Sequence, residues 1–254
     1  MSVTFPPEIL DKIFEQIATT REGPQTLAAC ALVATRWAGL SQRRLFYSVE
    51  IHELNYERWM NSVVLPEPKT HLLEYVRSLG HLRGLITRVT YRMGALAQHS
   101  GKYLSVLRNL RSLRLRSIWV EDIDEDQFHT CFSTFRETLT YLSLDEFAAS
   151  FGAFVTLVAY FPNITTLQLD MPKLVHNDRP VPSLSRPFRG KLQVCNVQAE
   201  SLEFLNRFAE LDPDYEELVI GPSRWGTEYL QSVLQVSTRN VKFLMLADNL
   251  VECE

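Results

Sequence analysis

Histidines and cysteines are the first side chains to consider for chemistry, because they serve as nucleophiles, bases and metal ligands. The chain has six histidines and four cysteines, dispersed along 254 residues. No two histidines stand at a metal-ligand spacing, and the cysteines form no CxxC pair. His129 and Cys131 are close enough in sequence to suggest a catalytic Cys-His pair. The alternative is that Cys131 belongs to an apolar helical stripe with Phe128, Phe132 and Phe135.

A run of carboxylates offers oxygen ligands for a cation such as calcium. It consists of Glu121, Asp122, Asp124, Glu125 and Asp126. The run lacks the glycine and closing glutamate of an EF-hand loop, and the spacing of Asp124 and Gln127 is typical of a helix-starting capping box. Glycine-rich phosphate loops and the G-x-S-x-G elbow are also missing from the sequence. We therefore predict no catalytic residue, no metal and no cofactor.

The composition is typical of a folded protein that binds neither nucleic acid nor membrane. Apolar residues make up 46% and charged residues 22%, with a net charge of -4. No apolar run approaches the 18 residues of a membrane span, and the first residues do not resemble a secretory signal. The cysteine spacing predicts no disulfide framework. We expect a cytoplasmic or nuclear location.

The charges separate into a basic block and an acidic block. Residues 71–119 contain nine Lys or Arg and one acid, Glu74, for a balance of +8. Residues 120–146 contain eight acids and one base, Arg136, for a balance of -7. The two blocks would neutralise each other if they occupied neighbouring layers. The alternative is a basic face for an acidic partner.

The first fifty residues predict three short helices. Pro6 and Pro7 suit a helix start, because the first turn does not use their missing N–H groups. The apolar stripe after them consists of Ile9, Leu10, Ile13, Phe14 and Ile17. After a Gly-Pro interruption, Thr26 is the predicted N-cap of a second helix from Leu27 to about Trp37. A third helix is predicted over residues 38–45, and then a strand over residues 47–51.

The second helix is apolar on nearly every side through Val33, and such a helix needs neighbours around it. Three helices of this length bury too little surface to be stable alone. Either another protein or the downstream chain must cover the remainder. In the second case the helices would be an N-terminal cap on that chain.

The order and spacing of these residues resemble an F-box. Residues 5–14 read FPPEILDKIF, against the family's Leu-Pro-x-Glu-Ile-Leu-x-x-Ile-Phe. LAACALV at residues 27–33, then an Arg-Trp pair and a closing Leu-Phe-Tyr, complete a match that covers residues 4–51. Phe5 departs from the family's usual leucine, and Ala34-Thr35 stands where cysteine or serine is common. With its leucine-rich downstream region, the chain is similar to the large F-box families of mushroom-forming fungi.

The resemblance implies a partner and a binding mode. An F-box binds the Skp adaptor, which joins it to a cullin scaffold and a ubiquitin-conjugating enzyme. The adaptor-facing residues implied here are Pro6, Ile9, Leu10, Ile13, Phe14, Leu32, Val33 and Trp37. Recognition would place apolar helical anchors in a groove. Some of these side chains must instead hold the three helices together, and the sequence does not divide the set.

Downstream, an apolar-x-x-Leu-x-Leu pattern recurs. Its central leucines, spaced by 29, 25, 25, 26 and 26 residues, are Leu113, Leu142, Leu167, Leu192, Leu218 and Leu244. A weaker copy at Leu79 lies 34 residues before the first. The period fits leucine-rich repeats. Each copy predicts a short strand, and the copies together predict a parallel sheet over a continuous apolar core.

The segments between these strands predict returning helices with aromatic stripes that pack on the leucines. The stripes are Phe128, Cys131, Phe132 and Phe135; Phe151, Phe154, Val155, Val158 and Phe161; Leu202, Leu205 and Phe208; and Tyr229, Leu230 and Val233. The repeats are irregular, because only Asn249 occupies the position where regular repeats bury an asparagine. Four prolines within residues 171–190 predict a surface loop instead of a helix there.

We therefore predict an α/β chain in two parts. A three-helix F-box-like module occupies residues 1–51, and an irregular leucine-rich-repeat-like solenoid, with short parallel strands and returning helices, occupies residues 52–254. Polar side chains beside the leucines form a hypothetical target-binding face, with an ordinary solvated face as the alternative. They are Arg114, Arg116, Tyr141, Asp145, Thr166, Gln168, Asp170, Lys191 and Gln193.

These predictions leave three functions open. The first is a non-catalytic substrate adaptor of a Skp-cullin-F-box ubiquitin ligase, which holds an unknown target protein near the conjugating enzyme. The second is a repeat scaffold without a ubiquitin role, whose N-terminal helices are a cap. The third is an enzyme whose site is too dispersed to recognise in one sequence.

Overall fold

The computed structural model describes residues 6–52, 58–59, 61, 70–83, 104, 107–116, 119–120, 125–175, 188–196, 199–210, 214–220 and 243–246. Within these ranges the chain is a mixed α/β protein built on parallel strands. Helices precede the first strand and also lie between later ones.

Three helices open the described chain. They are α1 Pro7–Ala18, α2 Gly23–Val33 and α3 Thr35–Leu45. α2 begins before its predicted N-cap, so that Thr26 lies inside the helix and its hydroxyl donates to the Glu22 carbonyl at 3.0 Å. Ala34 is extended, with φ -150° and ψ 136°, and this ends α2 at Val33. Trp37 therefore belongs to α3 and not, as predicted, to the end of α2.

The three helices pack around a small apolar cluster of their own, which we call the helical cluster. Its buried residues are Leu10, Phe14 and Leu27, with Ile17, Cys30, Trp37, Leu40 and Leu45 partly buried against them. Arg44 of α3 ties the helices together through a two-pronged contact with Asp11 of α1, at 3.2 Å and 3.0 Å. This geometry is the favoured one for a guanidinium and a carboxylate. All described members of the cluster precede residue 46.

Parallel strands account for most of the remaining described chain. In chain order they are β1 Ser48–His52, β2 Ser78–Arg83, β3 Ser112–Arg116, β4 Trp119–Val120, β5 Tyr141–Asp145, β6 Ala148–Ala149, β7 Thr166–Asp170, β8 Lys173–Leu174, β9 Arg189–Cys195, β10 Asp214–Ile220 and β11 Phe243–Leu246. Eight described strands form one sheet, ordered β1-β2-β3-β5-β7-β9-β10-β11. The short strands β4, β6 and β8 form a second sheet.

The repeating leucines set the register of the large sheet. Leu142 pairs with Leu113 on one side and with Leu167 on the other. The same row continues through the backbone of Leu192, Leu218 and Leu244, and in the other direction to Leu79. The prediction of short parallel strands centred on these leucines is therefore confirmed.

Helices return the chain between several strands. They are α4 Thr70–Leu73, α5 Glu125–Phe132 with a 3-10 turn at Ser133–Phe135, α6 Phe151–Tyr160 and α7 Ala199–Glu210. The hydroxyl of Ser150 caps α6 by accepting from the Ala153 amide at 3.1 Å. Three of the four predicted returning helices are thus present. The fourth, at residues 229–233, lies outside the described residues, as do Asp124 of the predicted capping box and residues 176–187 of the predicted loop.

The described aromatic side chains of α5, α6 and α7 pack on the leucine strands, as predicted, whereas the side chains of Phe128 and Leu202 in the predicted stripes lie outside the described residues. Phe154 of α6 is fully buried, with its ring centroid 4.6 Å from that of Phe204 and 5.6 Å from that of Phe208, both on α7. Phe132 and Phe161 form a further edge-to-face contact at 5.7 Å. We call this large apolar cluster the sheet core; it includes Val49 of β1 and is distinct from the helical cluster.

The same turn comes after three successive strands of the large sheet. Glu146, Met171 and Asn196 each have a positive φ, of 50°, 47° and 48°, and each directly follows a strand. They are 25 residues apart, which matches the spacing of the leucines. The backbone repeat is therefore regular here although the side chains are degenerate. Phe147 and Pro172, for example, are buried where regular repeats place asparagine.

Gly190 is required by the close approach of two repeats. Its φ is +136°, and a Cβ there would lie 2.2 Å from the Thr165 carbonyl oxygen. Gly190→Ala is expected to lower the free energy of unfolding by about 1–3 kcal/mol, because the new methyl group meets backbone in a strained conformation. Gly39→Ala is the control: nothing lies within 4 Å of a Cβ there, so this helix substitution should raise the free energy of unfolding by about 0.5–1 kcal/mol. Urea unfolding measures both, and equal effects would contradict the contact at Gly190.

Candidate docking surface and candidate target face

Large apolar side chains are left uncovered on α1 and α2. Ile9 and Ile13 are 45% and 42% exposed, and Leu32 and Val33 are 89% and 70% exposed. Ile9 and Ile13 stand four residues apart and therefore share one face of α1. We call these four residues the docking surface. Within the described ranges, the remaining large apolar side chain that is exposed is Tyr47.

The sequence of α2 predicts neighbours on every side, and the described chain supplies few. Leu27 is buried in the helical cluster, whereas Ala28 and Ala29 are exposed along with Leu32 and Val33. A helix whose apolar residues face water on most sides is typical of a segment that another protein covers.

The eight predicted adaptor-facing residues separate into two groups. Pro6 is exposed with the four residues of the docking surface. Leu10 and Phe14 are instead buried in the helical cluster, and Trp37 is partly buried with its ring 6.1 Å from that of Phe14. The structure thus places these three side chains among the contacts that hold α1 and α3 together, and their contact with an adaptor stays a prediction.

The predicted target face carries a network of polar contacts between neighbouring strands. Arg114 Nε of β3 donates to Asp145 Oδ2 of β5 at 2.6 Å. Ser143 Oγ donates to the other oxygen, Asp145 Oδ1, at 2.8 Å. Asp145 is 2% exposed, so its carboxylate is satisfied within the sheet. A buried charge held in this way supports the strand pairing, since an unpaired one would be costly.

Other residues of the face also have polar partners. The Tyr141 hydroxyl donates to Gln168 Oε1, and Gln168 is 4% exposed. Lys191 Nζ lies 2.8 Å from Glu217 Oε1, and Gln193 Nε2 lies 3.7 Å from Cys195 Sγ. Asp145 and Gln168 are therefore buried, and their role in target binding stays a prediction. Arg114, Arg116, Tyr141, Thr166, Asp170, Lys191 and Gln193 remain partly exposed.

The basic and acidic blocks meet at the junction of β3 and β5. Besides the pair between Arg114 and Asp145, Arg116 Nη2 donates to Glu146 Oε1 at 3.2 Å. These two pairs favour neutralisation between layers for this part of the blocks. Glu146 and Asn196, which contact face residues, were missed by the sequence analysis. Each of them directly follows a predicted strand, so the 25-residue repeat identifies both positions.

Asp170 is a face residue whose ionisation is perturbed by folding. Burial raises its pKa, and the nearby Asp145 carboxylate raises it further. The hydrogen bond from Asn196 Nδ2, at 2.9 Å, and the charges of Arg114 and Arg116 oppose this rise in pKa. The net upward shift means that the folded chain favours the protonated carboxyl more than the unfolded chain does.

Asp170→Asn is expected to increase the free energy of unfolding at pH 7 but not at pH 3. A carboxyl whose pKa is raised by folding favours the folded state below the unfolded pKa, and this contribution is lost as pH rises through the folded pKa. At pH 7 the charged Asp170 therefore opposes folding, whereas asparagine keeps an oxygen that accepts from Asn196. Urea unfolding at the two pH values measures the difference between variant and wild type. A difference that does not change with pH would contradict the upward pKa shift.

The Cys131 thiol is poorly suited to nucleophilic chemistry. Burial raises its pKa to about 11, so the thiol stays protonated near neutral pH. His129 is exposed, and its Nδ1 lies 3.0 Å from the Tyr160 hydroxyl. The histidine is thus engaged with Tyr160. This disfavours the Cys-His alternative.

Within the described ranges, the structure offers no metal site beside the docking surface and the target face. In the described ranges no three His, Cys, Asp or Glu side chains gather as cation ligands. Residues 121–124 of the carboxylate run and the side chains of Glu125 and Asp126 lie outside what the structure describes. None of the described helices has both the length and the apolar character needed to cross a membrane. Comparison with protein-family models and with curated proteins gave no match.

Proposed function

We propose that this protein is a substrate adaptor of a Skp-cullin-F-box ubiquitin ligase. α1, α2 and α3 would form the F-box and bind the Skp adaptor through the docking surface. The observation that carries the proposal is the exposure of Ile9, Ile13, Leu32 and Val33 in a segment whose sequence resembles an F-box. The protein's role would be to raise the effective concentration of a target near a conjugating enzyme, without catalysis of its own.

The free energy gained by burying the docking surface is small enough that binding would depend on all four side chains. Fully burying a Leu, Ile or Val side chain contributes about 1.5–3 kcal/mol, so four anchors contribute at most about 6–12 kcal/mol. Association costs about 4–15 kcal/mol in lost translational and rotational freedom. The apolar contribution is therefore of the same size as the cost. Without two of these side chains, the apolar contribution would no longer exceed the cost of association.

The arrangement of the two apolar clusters favours adaptor binding over a capping role. A cap would bury its apolar faces on the end of the sheet. The described members of the helical cluster all lie before residue 46, and the chain reaches the sheet core through Phe46 and Val49. The uncovered faces of α1 and α2 would then be available to another protein.

We infer that the large sheet belongs to an irregular leucine-rich-repeat-like solenoid that holds the target protein. The regular leucine register and the recurrent turn at Glu146, Met171 and Asn196 support repeats of one kind. Target contacts would come from the partly exposed residues of the face, such as Arg116, Asp170 and Lys191. A ligase adaptor of this type would act in the cytoplasm or nucleus.

Size-exclusion chromatography with light scattering tests the adaptor proposal. The full chain mixed with purified Skp adaptor is expected to elute as a 1:1 complex. The complex should persist in 0.5 M NaCl, because apolar contacts are not screened by salt. Elution of two separate, folded proteins would contradict the proposal and leave the repeat-scaffold function. A complex that dissociates in salt would instead implicate the charged blocks.

A further inference from the structure

A cavity of about 320 Å³ lies where the helices meet the first strands. Arg43 and Arg44 reach it from the last turn of α3, and Tyr47 from the turn before β1. Tyr75 and Arg77, between α4 and β2, line another part. Its volume is at the lower end of the range for small-molecule sites. None of the docking-surface residues lines it.

Three arginines line this cavity, and two of them have no acidic partner among the described residues. Arg44 is paired with Asp11 at 3.0 Å and lies 3.6 Å from Glu15. Arg43 is exposed and, among the described residues, has no ion-pair partner. Among the described residues, the Arg77 guanidinium donates to a backbone carbonyl, from Nη1 to Glu74 O at 2.8 Å, and forms no ion pair. Neither of these last two charges is cancelled by its contacts.

The wall around Arg77 is held in place before any ligand binds. Glu74 O accepts from Arg77 and also from Asn109 Nδ2 at 3.2 Å, so that one carbonyl positions both donors. The Glu74 carboxylate is the acidic group among the described lining residues, and its side chain is exposed. The lining therefore combines positioned donors with an excess of positive charge.

We propose that this cavity binds a phosphomonoester group. Guanidinium groups match phosphate oxygens with paired N–H donors, and the hydroxyls of Tyr47 and Tyr75 and the Asn109 amide supply further donors. A dianion uses the charges of both Arg43 and Arg77, whereas a single carboxylate satisfies one of them. The phosphoryl group can come from free orthophosphate or from an ester. This inference does not depend on the ligase proposal.

Isothermal titration of the full chain with orthophosphate and with O-phosphoserine, at pH 7.5 and 0.15 M NaCl, tests the site. Arg77→Gln should weaken binding at least about tenfold, because a charged hydrogen-bond donor is lost. Glu74→Gln should strengthen binding, because it removes the competing carboxylate and keeps the backbone carbonyl that holds Arg77. Arg111→Gln is the matched control: Arg111 is exposed and outside the lining, so the affinity should change less than about twofold.

The two ligands identify the source of the phosphoryl group. Binding of orthophosphate alone indicates the free ion, and tighter binding of O-phosphoserine indicates an ester. Affinity for O-phosphoserine should fall from pH 7.5 to pH 5, because the second ionisation of the phosphate lies near 6. The proposal is overturned by the absence of saturable binding of either ligand, or by equal losses in Arg77→Gln and Arg111→Gln. If Arg77→Gln does not fold, an unchanged or weaker affinity of Glu74→Gln overturns it equally.

Discussion

Replacing Ile13 and Leu32 together with glutamate is expected to weaken binding of the Skp adaptor more than about 100-fold, since two desolvated anchors become charges. The free energy of unfolding should change by less than about 0.5 kcal/mol, because substitutions at exposed positions rarely destabilise and glutamate is a good helix former. Ile13 and Leu32 are 42% and 89% exposed. Titration calorimetry measures the affinity, and urea unfolding measures the stability.

Tyr47→Ser is the control for this double variant. Tyr47 is 52% exposed but follows α3 instead of lying on α1 or α2, so the variant should bind the adaptor like the wild type. Phe14→Ala, by contrast, removes a buried ring from the helical cluster and would lose binding through unfolding. A folded double variant that still binds the adaptor at wild-type strength would rule out the docking surface as the contact.

Phe154→Ala is expected to lower the free energy of unfolding of the sheet by about 3–5 kcal/mol, the usual cost of removing a fully buried aromatic ring. The ring has 0% exposure and contacts Phe147, Phe151, Phe204 and Phe208. Its loss leaves a cavity between α6, α7 and the leucine strands. Urea unfolding followed by circular dichroism measures the effect.

Phe154→Leu should cost less than Phe154→Ala, because leucine refills part of the space. Under conditions where Phe154→Ala remains folded, it should bind the Skp adaptor as the wild type does, since the docking surface belongs to α1 and α2. Loss of adaptor binding in step with the loss of stability would show instead that the N-terminal helices depend on the sheet core, as a cap would.

The strands could be predicted because every copy of the repeat has a leucine at its centre. Leucines spaced by 25 or 26 residues stay in register only if the strands run parallel and the segments between them are of equal length. The pairing of Leu142 with Leu167 and of Leu167 with Leu192 has this form. The returning helices could be predicted for the same reason, since their aromatic stripes face the leucine core. Periodicity carries this information without any knowledge of the tertiary contacts.

The boundary between α2 and α3 could not be predicted in this way. Ala34 is extended, but alanine is the best helix former and nothing in the local sequence signals a break. The bend accompanies the packing of α3 on α1 and α2, which includes the contact of Arg44 with Asp11. Tertiary contacts override the local propensity at this point.

The sequence also does not predict which residues of the candidate site are buried and which are exposed. Ile9 with Ile13 and Leu10 with Phe14 are both apolar pairs spaced by four residues, and the sequence does not reveal which pair faces inward. On the sheet, Asp145 looked like an exposed face residue. It is buried because the adjacent strand brings Arg114 onto it, a contact that depends on register and side-chain length together.

Hydrogen–deuterium exchange with and without saturating Skp adaptor tests the docking surface most directly. The backbone N–H groups of α1 and α2 should exchange more slowly in the complex, and those of β5 and β7 should be unchanged. Unchanged exchange in both helices, or slower exchange confined to the strands, would contradict adaptor binding through α1 and α2.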